Sequence, residues 1–268
     1  IGVAALLPDA PDVHTFWENI LSAKVSLKEV PENRWVSSDF WMEGGPKNVD
    51  ENKTYSKIGG WVEEFEFDWR RWRIPPGSLP QIDPTQLWAV TVSAAALEDA
   101  GYMGEDSREL PRARTGVIFA NALGGENRNL SNHRVWADQF ARHAIEAGGM
   151  PNEGKIAFKE ALLANLPLVT EDTMPGELAN VVSGRVANLL DLQGPNYSTD
   201  AACASTFAAI LDACRLLQTR QVDMMIAGAS DRTMDPATFA KFSAIGALSA
   251  THSTPFDTKA NGFVMGEG

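Results

Sequence analysis

The stretch from Asn196 to Gln218 constrains the fold more than any other part of the chain. A short β-prone run, Pro195 to Thr199, leads through Asp200 to Cys203, and from there apolar residues recur every three or four positions. The change of period places Cys203 where a strand turns into a helix. A strand followed directly by a helix is the building block of α/β proteins.

The position of Cys203 has chemical consequences. The first amides of a helix lack intrahelical partners, and the aligned peptide dipoles add partial positive charge there. A thiol at such a site ionises more readily, and the thiolate is the nucleophilic form. Its neighbours are small and leave the sulfur accessible: Ala201, Ala202, Ala204 and Ser205. Spacing alone leaves open the alternative that Cys203 is a small buried hydrophobe.

The second cysteine, Cys214, has a different predicted environment. It lies within a stripe of apolar residues at helical spacing, which consists of Phe207, Ile210, Leu211, Cys214 and Leu217. Such a stripe is typical of the helix face that packs on a core. We therefore predict that Cys214 is buried.

The rest of the chain alternates between predicted strands and helices. Ile1–Leu6, Arg114–Ala120 and Val222–Ala229 are apolar runs of strand length. Asp12, Asp83-Pro84 and Asp235-Pro236 are helix-start signals. This order predicts a largely parallel or mixed sheet that is covered on both faces. Residues 25–80 have weak periodicity and predict a long irregular excursion over the surface.

Composition excludes several classes of function. The net charge of −12 argues against general nucleic-acid binding, which needs a basic face. No apolar run is long enough to span a membrane, and neither a Walker-type phosphate loop nor a paired Cys/His metal spacing is present. Two cysteines do not make a disulfide framework, so a reducing cytoplasm is the expected location.

Several motifs, taken together, resemble one family. DAACAST around Cys203 is similar to the nucleophile motif of β-ketoacyl synthases, the condensing enzymes of the thiolase-like superfamily. Four further segments agree in the order that the family uses: Asp83 to Tyr102, Arg114 to Gly125, Ala179 to Ser205 and Phe242 to Gly268. The spellings WRIPP and DAACAS most resemble ketosynthase domains of polyketide or polyunsaturated-fatty-acid synthases.

The resemblance implies an α/β fold with five αβαβα layers, built from two similar halves and usually paired as a homodimer. Residues 1–268 would be the N-terminal part of a ketosynthase domain, comprising the first half and the start of the second. We expect such a part to expose an apolar face to a complementary C-terminal half or a tightly held partner.

The resemblance also implies the chemistry. Cys203 would take an acyl group from a carrier-protein thioester, with its own backbone N–H stabilising the oxyanion. A malonyl-carrier thioester would then lose CO2 and attack that acyl group. Leu123 and Phe242 resemble residues that line the acyl pocket, with ordinary packing as the alternative, and Phe263 resembles the aromatic residue that gates the nucleophile. No cofactor would bind directly, since phosphopantetheine arrives on the acyl carrier protein.

Two departures from the family pattern are visible. Asn261 stands where the family usually has an acidic residue, and the family's catalytic histidines and lysine lie in motifs of the HGTGT and NKxxxGH kind, which would follow Gly268. On these residues alone we expect acylation of Cys203 but poor decarboxylation. The alternatives are a non-catalytic partner subunit that shapes chain length, and a thiolase or acyltransferase that uses the same cysteine. For the carrier protein, the candidate docking patch is Arg70, Arg71 and Arg73, which could equally be solvated arginines.

Overall fold

The computed structural model of the chain describes residues 1–46, 48–50, 52–149 and 151–268. In the described part the helices are α1 (Val13–Leu21), α2 (Ser37–Phe40), α3 (Trp69–Trp72), α4 (Pro84–Asp99), α5 (Asn127–Glu146), α6 (Lys155–Leu163), α7 (Thr173–Glu177), α8 (Ala179–Leu189), α9 (Ser205–Gln218) and α10 (Pro236–Ala244). The strands are β1 (Lys28–Glu29), β2 (Ile58–Gly59), β3 (Thr115–Ala120), β4 (Asn196–Thr199) and β5 (Met224–Ala229). Short 3₁₀ turns cover Leu79–Gln81, Arg112–Arg114, Asn152–Gly154 and Ala202–Ala204.

The chain divides into two compact units. The first unit comprises residues 1–67, 88–112 and 230–268, and the second comprises residues 68–87 and 113–229. Helix α4 begins in the second unit and continues into the first.

The second unit is built on a parallel sheet with the strand order β4-β3-β5. Ala120 lies opposite Thr199 on one side and Ala229 on the other, so the carboxyl ends of the three strands are aligned. Every residue of β3 is buried, as its continuous apolar run predicts for a central parallel strand. Helix α8 packs on β3 and β4, and helix α9 packs on all three strands.

Helix α9 packs on the sheet through its small residues, which contradicts the prediction made for Cys214. Ala209 and Ala213 are buried against Ile118 and Ala120 of β3. The larger apolar stripe faces away from the sheet: Phe207 is 75% exposed, and Cys214 is exposed. The prediction that Cys214 is buried is therefore wrong, because alanines let the helix approach the sheet more closely than the bulky face would.

The first unit has an aromatic core. Trp35, Tyr55 and Trp61 pack with three residues from the C-terminal part of the chain, which are Met234, Phe239 and Leu248. The Trp35 indole donates to the Met234 carbonyl at 3.1 Å, and the Tyr55 hydroxyl donates to the Leu248 carbonyl at 2.9 Å. The segment 25–80 has mostly irregular backbone, yet it supplies these aromatic side chains to the core.

The N-terminal residues match the prediction only in part. The carboxylate of Asp12 accepts the Thr15 N–H at 2.7 Å, which confirms the predicted start of α1. Within the described ranges, Ile1–Leu6 joins no β-ladder, so the predicted strand is absent. Instead, the Val3 N–H donates to the side chain of Asp99 at 2.8 Å.

Candidate active site

The turn between β4 and α9 presents Cys203. Strand β4 ends at Thr199, and a single 3₁₀ turn, Ala202–Ala204, precedes α9. The Asp200 carboxylate accepts the Ala202 N–H at 2.8 Å. The Ser205 hydroxyl accepts the Ala201 N–H at 2.8 Å and donates to the Ala202 carbonyl at 2.6 Å. Side chains on both sides of the cysteine therefore hold the turn.

The backbone of this turn is strained immediately before the cysteine. Ala202 has a φ of +50°, a left-handed conformation that costs an L-residue about 1–2 kcal/mol. Strained backbone persists only where its surroundings impose it, and it concentrates at functional sites. Sequence reasoning missed this feature, since alanine carries no signal for a left-handed turn.

Cys203 itself is exposed at the start of the helix. Its thiol lies just ahead of the first residue of α9, at the positive end of the helix dipole. Throughout the described part of the chain, neither the thiol nor the backbone N–H of Cys203 has a hydrogen-bond partner. The sequence prediction of an accessible sulfur at a strand-to-helix turn is confirmed. Its role as a nucleophile stays a prediction.

An open cavity of about 390 Å³ lies at the carboxyl ends of β3 and β4. One wall is the loop after β3 together with the start of α5, and it contains Leu123 and Arg128. A second wall is the junction of α7 and α8, residues 177–180. Residues 198–200, which precede Cys203 in the chain, complete the lining. Ligands of open α/β sheets bind at this end of the strands.

Leu123 lies on the wall of this cavity and is 58% exposed, so it does not pack in a core. Two glycines follow it in left-handed conformations, Gly124 with a φ of +80° and Gly125 with a φ of +93°. A Cβ at Gly125 would lie 2.1 Å from the Asp83 carboxylate, so only glycine fits this turn. The turn of small residues after β3 therefore forms one side of a cavity.

Phe242 and Phe263 belong to the first unit, whereas Cys203 and Leu123 belong to the second. The two phenylalanine rings pack edge to face, with centroids 5.3 Å apart and an interplanar angle of 83°. Phe242 is half-buried against the aromatic core, while Phe263 is 42% exposed. The structure therefore brings these two predicted residues into contact with each other.

A buried ion pair holds the segment that follows Phe263, and sequence reasoning missed it. One terminal nitrogen of Arg34 donates to both carboxylate oxygens of Glu267, at 2.7 and 2.9 Å. The Val62 N–H donates to the same carboxylate at 2.8 Å. The Glu267 side chain is completely buried. Arginine and glutamate 233 positions apart give no local signal of such a pair.

Two kinds of feature are absent from the described residues. Within the described ranges, no group of three or more His, Cys, Asp or Glu side chains is arranged to hold a metal ion. In the same part of the chain, no helix is both long and apolar enough to cross a membrane.

Comparison with known proteins agrees with this geometry. The family model described as "Beta-ketoacyl synthase, N-terminal domain" matches residues 1–268. A polyunsaturated fatty acid synthase protein of Thraustochytrium sp. is 29% identical over the whole chain, and the chain spans 9% of that protein. Polyketide synthase PksN of Bacillus subtilis is also 29% identical over the whole chain, which spans 4% of it.

Solved structures show the same fold. An oxazolomycin ketosynthase domain of Streptomyces albus superposes with a TM-score of 0.74 at 25% identity, over all of this chain and 41% of that one. The ketosynthase from module 6 of the Bacillus subtilis bacillaene synthase superposes with a TM-score of 0.72 at 23% identity, over 38% of its own chain. The fold is thus the thiolase-like α/β layered fold of ketosynthase domains, as predicted. The chain belongs to the β-ketoacyl synthase family and matches that family's N-terminal domain along its whole length.

Proposed function

We propose that this chain is the acyl-accepting part of a ketosynthase in a polyketide or polyunsaturated-fatty-acid synthase. The observation that carries the proposal is the environment of Cys203. Its thiol is exposed at a strained turn, its N–H is unpaired among the described residues, and a cavity opens a few residues upstream. An accessible thiol, a free donor beside it and room for a ligand are what an acyl-transfer step requires.

In the proposed first step, the Cys203 thiolate attacks the carbonyl carbon of an acyl thioester on the phosphopantetheine arm of an acyl carrier protein. The backbone N–H of Cys203 donates to the oxygen of the tetrahedral intermediate. Collapse of the intermediate expels the phosphopantetheine thiolate, which takes up a proton, and leaves the acyl group on Cys203. A single donor to such an oxyanion contributes about 3–4 kcal/mol in other acyl-transfer enzymes.

In the second step, a malonyl-carrier thioester loses CO2, and the resulting carbanion attacks the acyl carbon on Cys203. The cysteine thiolate leaves, and the product is a 3-ketoacyl group on the carrier. The motifs that assist decarboxylation in this family do not occur within residues 1–268. The residues of this chain therefore account for acyl transfer, and we assign the second step to the complete protein, as a homodimer.

Within this proposal, Leu123 and Phe242 line the acyl pocket and Phe263 gates the nucleophile. The exposed surface of Leu123 in the cavity supports the first role. The edge-to-face pair with one exposed ring supports the second, because Phe263 can turn without leaving a buried void.

Acylation of Cys203 can be tested by mass spectrometry. Incubation with an acyl-N-acetylcysteamine thioester should add the acyl mass to the peptide that contains Cys203, and Cys203→Ala should abolish the adduct. Cys214 is a matched control because it is a second exposed thiol, on the helix that directly follows Cys203. Cys214→Ala should leave the labelling unchanged. Equal labelling of the two cysteines, or labelling of Cys214 alone, would contradict the proposal.

The carrier protein is proposed to dock on α3. Arg70, Arg71 and Arg73 are exposed there, and the Arg70 and Arg71 guanidinium groups stack on Trp69 and Trp72 at 4.6 and 5.0 Å. Stacking on rings holds the charges at fixed positions in a chain of net charge −12. Arg70→Glu with Arg73→Glu should weaken carrier binding about tenfold at low ionic strength. Unchanged binding would exclude this patch.

A further inference from the structure

The start of α4 carries three polar residues that are fully buried. Asp83, Thr85 and Gln86 are all 0% exposed. A buried polar group is costly unless its hydrogen bonds are complete, so such groups hold their partners in defined positions. Several of the hydrogen-bond partners of Asp83 and Gln86 are neighbours, along the chain, of the residues that form two walls of the cavity.

Asp83 connects α4 to the wall that contains Leu123. One carboxylate oxygen accepts the N–H and the hydroxyl of Thr85, at 2.9 and 2.7 Å, and so caps α4. The other oxygen accepts the N–H of Asn127, the first residue of α5, at 3.0 Å. Gly125 packs directly against this carboxylate. Asp83 thereby determines where the loop after β3 ends and α5 begins.

Gln86 connects the same turn to the second wall, the junction of α7 and α8. Its side-chain nitrogen donates to the carbonyls of Pro175 and Gly176, at 3.1 and 3.0 Å, just before the wall residues 177–180. Its side-chain oxygen accepts a hydrogen bond from the Nε–H of Arg185, on α8, at 2.6 Å. The backbone N–H of Asp83 adds a bond to the Gly176 carbonyl at 2.8 Å.

We infer that Asp83 and Gln86 are positioning residues that hold the two segments lining the cavity in place, and thereby select which acyl groups reach Cys203. The inference rests on the proposed function and extends it to acyl selection. A helix cap alone needs one acceptor oxygen. Asp235 forms the same kind of cap on α10, where its carboxylate accepts the Thr238 N–H at 2.7 Å, also in an Asp-Pro sequence. The second carboxylate oxygen of Asp83 and the side-chain amide of Gln86 are not needed for the cap. Their hydrogen bonds join the start of α4 to segments next to the cavity.

Two substitutions separate the cap from the contacts with the walls. Asp83→Ser keeps an acceptor for the Thr85 N–H but lacks the second oxygen that reaches Asn127. Gln86→Met keeps the length of the side chain without its donors or acceptor. Asp83→Asn, which has the shape of the native residue, is the second variant should the serine variant fail to fold. Asp235→Ser is the control, because it changes the same kind of cap elsewhere in the chain.

Two measurements on the complete protein test the inference. Hydrogen–deuterium exchange should increase in residues 121–128 for the Asp83 variants and in residues 175–180 for Gln86→Met, and in neither segment for Asp235→Ser. A one-pot competition between a short and a long acyl thioester gives the acylation preference of Cys203 as a ratio. Loss of folded protein alone does not move this ratio. We expect a shift of about tenfold, since a misplacement of 1 Å can cost roughly a hundredfold.

The outcomes separate the two proposals. Exchange that increases locally with a shifted preference supports the inference. Unchanged exchange, an unchanged preference, or an equal shift in Asp235→Ser overturns it while the acylation of Cys203 still stands. A wild-type protein in which Cys203 takes no acyl group refutes the proposed function, and the inference fails with it.

Discussion

The ion pair between Arg34 and Glu267 allows a quantitative test of how the first unit is held together. The two side chains are 9% and 0% exposed, and Glu267 accepts three hydrogen bonds shorter than 3 Å. Glu267→Gln keeps the shape but places an amide nitrogen where only acceptors fit, and it removes the negative charge that the buried guanidinium contacts. Breaking one partner of a buried pair costs about 3–5 kcal/mol, and we expect this loss in the free energy of unfolding.

Urea titration of the purified protein measures this loss. The control is Asp223→Asn in the ion pair Arg114–Asp223, whose side chains are 47% and 54% exposed. That substitution should cost less than about 1 kcal/mol because water screens the pair. A double variant, Arg34→Leu with Glu267→Leu, should recover most of the loss except the cost of leaving the Val62 N–H unpaired, about 1–3 kcal/mol. A Glu267→Gln variant within about 1 kcal/mol of the wild type would refute the reasoning.

Single residues give three further tests. Ala202→Gly should raise the free energy of unfolding by up to about 1 kcal/mol, since glycine relieves the left-handed strain. It should also slow acylation of Cys203, because the turn becomes more flexible. An unchanged acylation rate would show that the strain has no role in acylation. The hydrogen bond from Lys28 lowers the pKa of Asp9. The carboxylate therefore stabilises the fold at pH values above its unfolded pKa, and this contribution is lost as the pH falls through the lower pKa of the folded state. Asp9→Asn should make stability decline less steeply at acid pH, as measured by urea titration at several pH values. Phe207→Ser should reduce self-association of the chain in sedimentation while changing the free energy of unfolding by no more than about 0.5 kcal/mol. A loss of about 3–5 kcal/mol would instead show that Phe207 packs in a core.

Local signals in the sequence predicted the element starts well. Asp83-Pro84 and Asp235-Pro236 predicted helices that the structure begins at Pro84 and Pro236. The apolar run that ends at Ala120 is β3, parallel to both neighbours as predicted. These features depend on short-range chemistry, namely a carboxylate acceptor, the fixed φ of proline and the burial of a central strand.

Features that depend on distant partners could not be predicted. Apolar spacing over residues 176–191 predicts one helix, whereas the structure has two, α7 and α8, which meet at Leu178, a residue with extended backbone. The second oxygen of Asp83 reaches a residue 44 positions away, and no local pattern indicates it. The same limitation applies to the cavity walls, because their positions depend on contacts between segments that are far apart in the sequence.

Helix α9 shows why periodicity identifies an apolar face but not what covers it. Both of its faces are apolar: Ala209 and Ala213 pack on the sheet, while the Phe207, Leu211 and Leu217 side chains are 75%, 50% and 40% exposed. The sheet therefore covers only the alanine face of α9. Because Cys203 lies at the start of this helix, a surface that covered the larger stripe would also come close to the proposed nucleophile. Burial there would exclude water from the thiol and strengthen a hydrogen bond donated by its N–H.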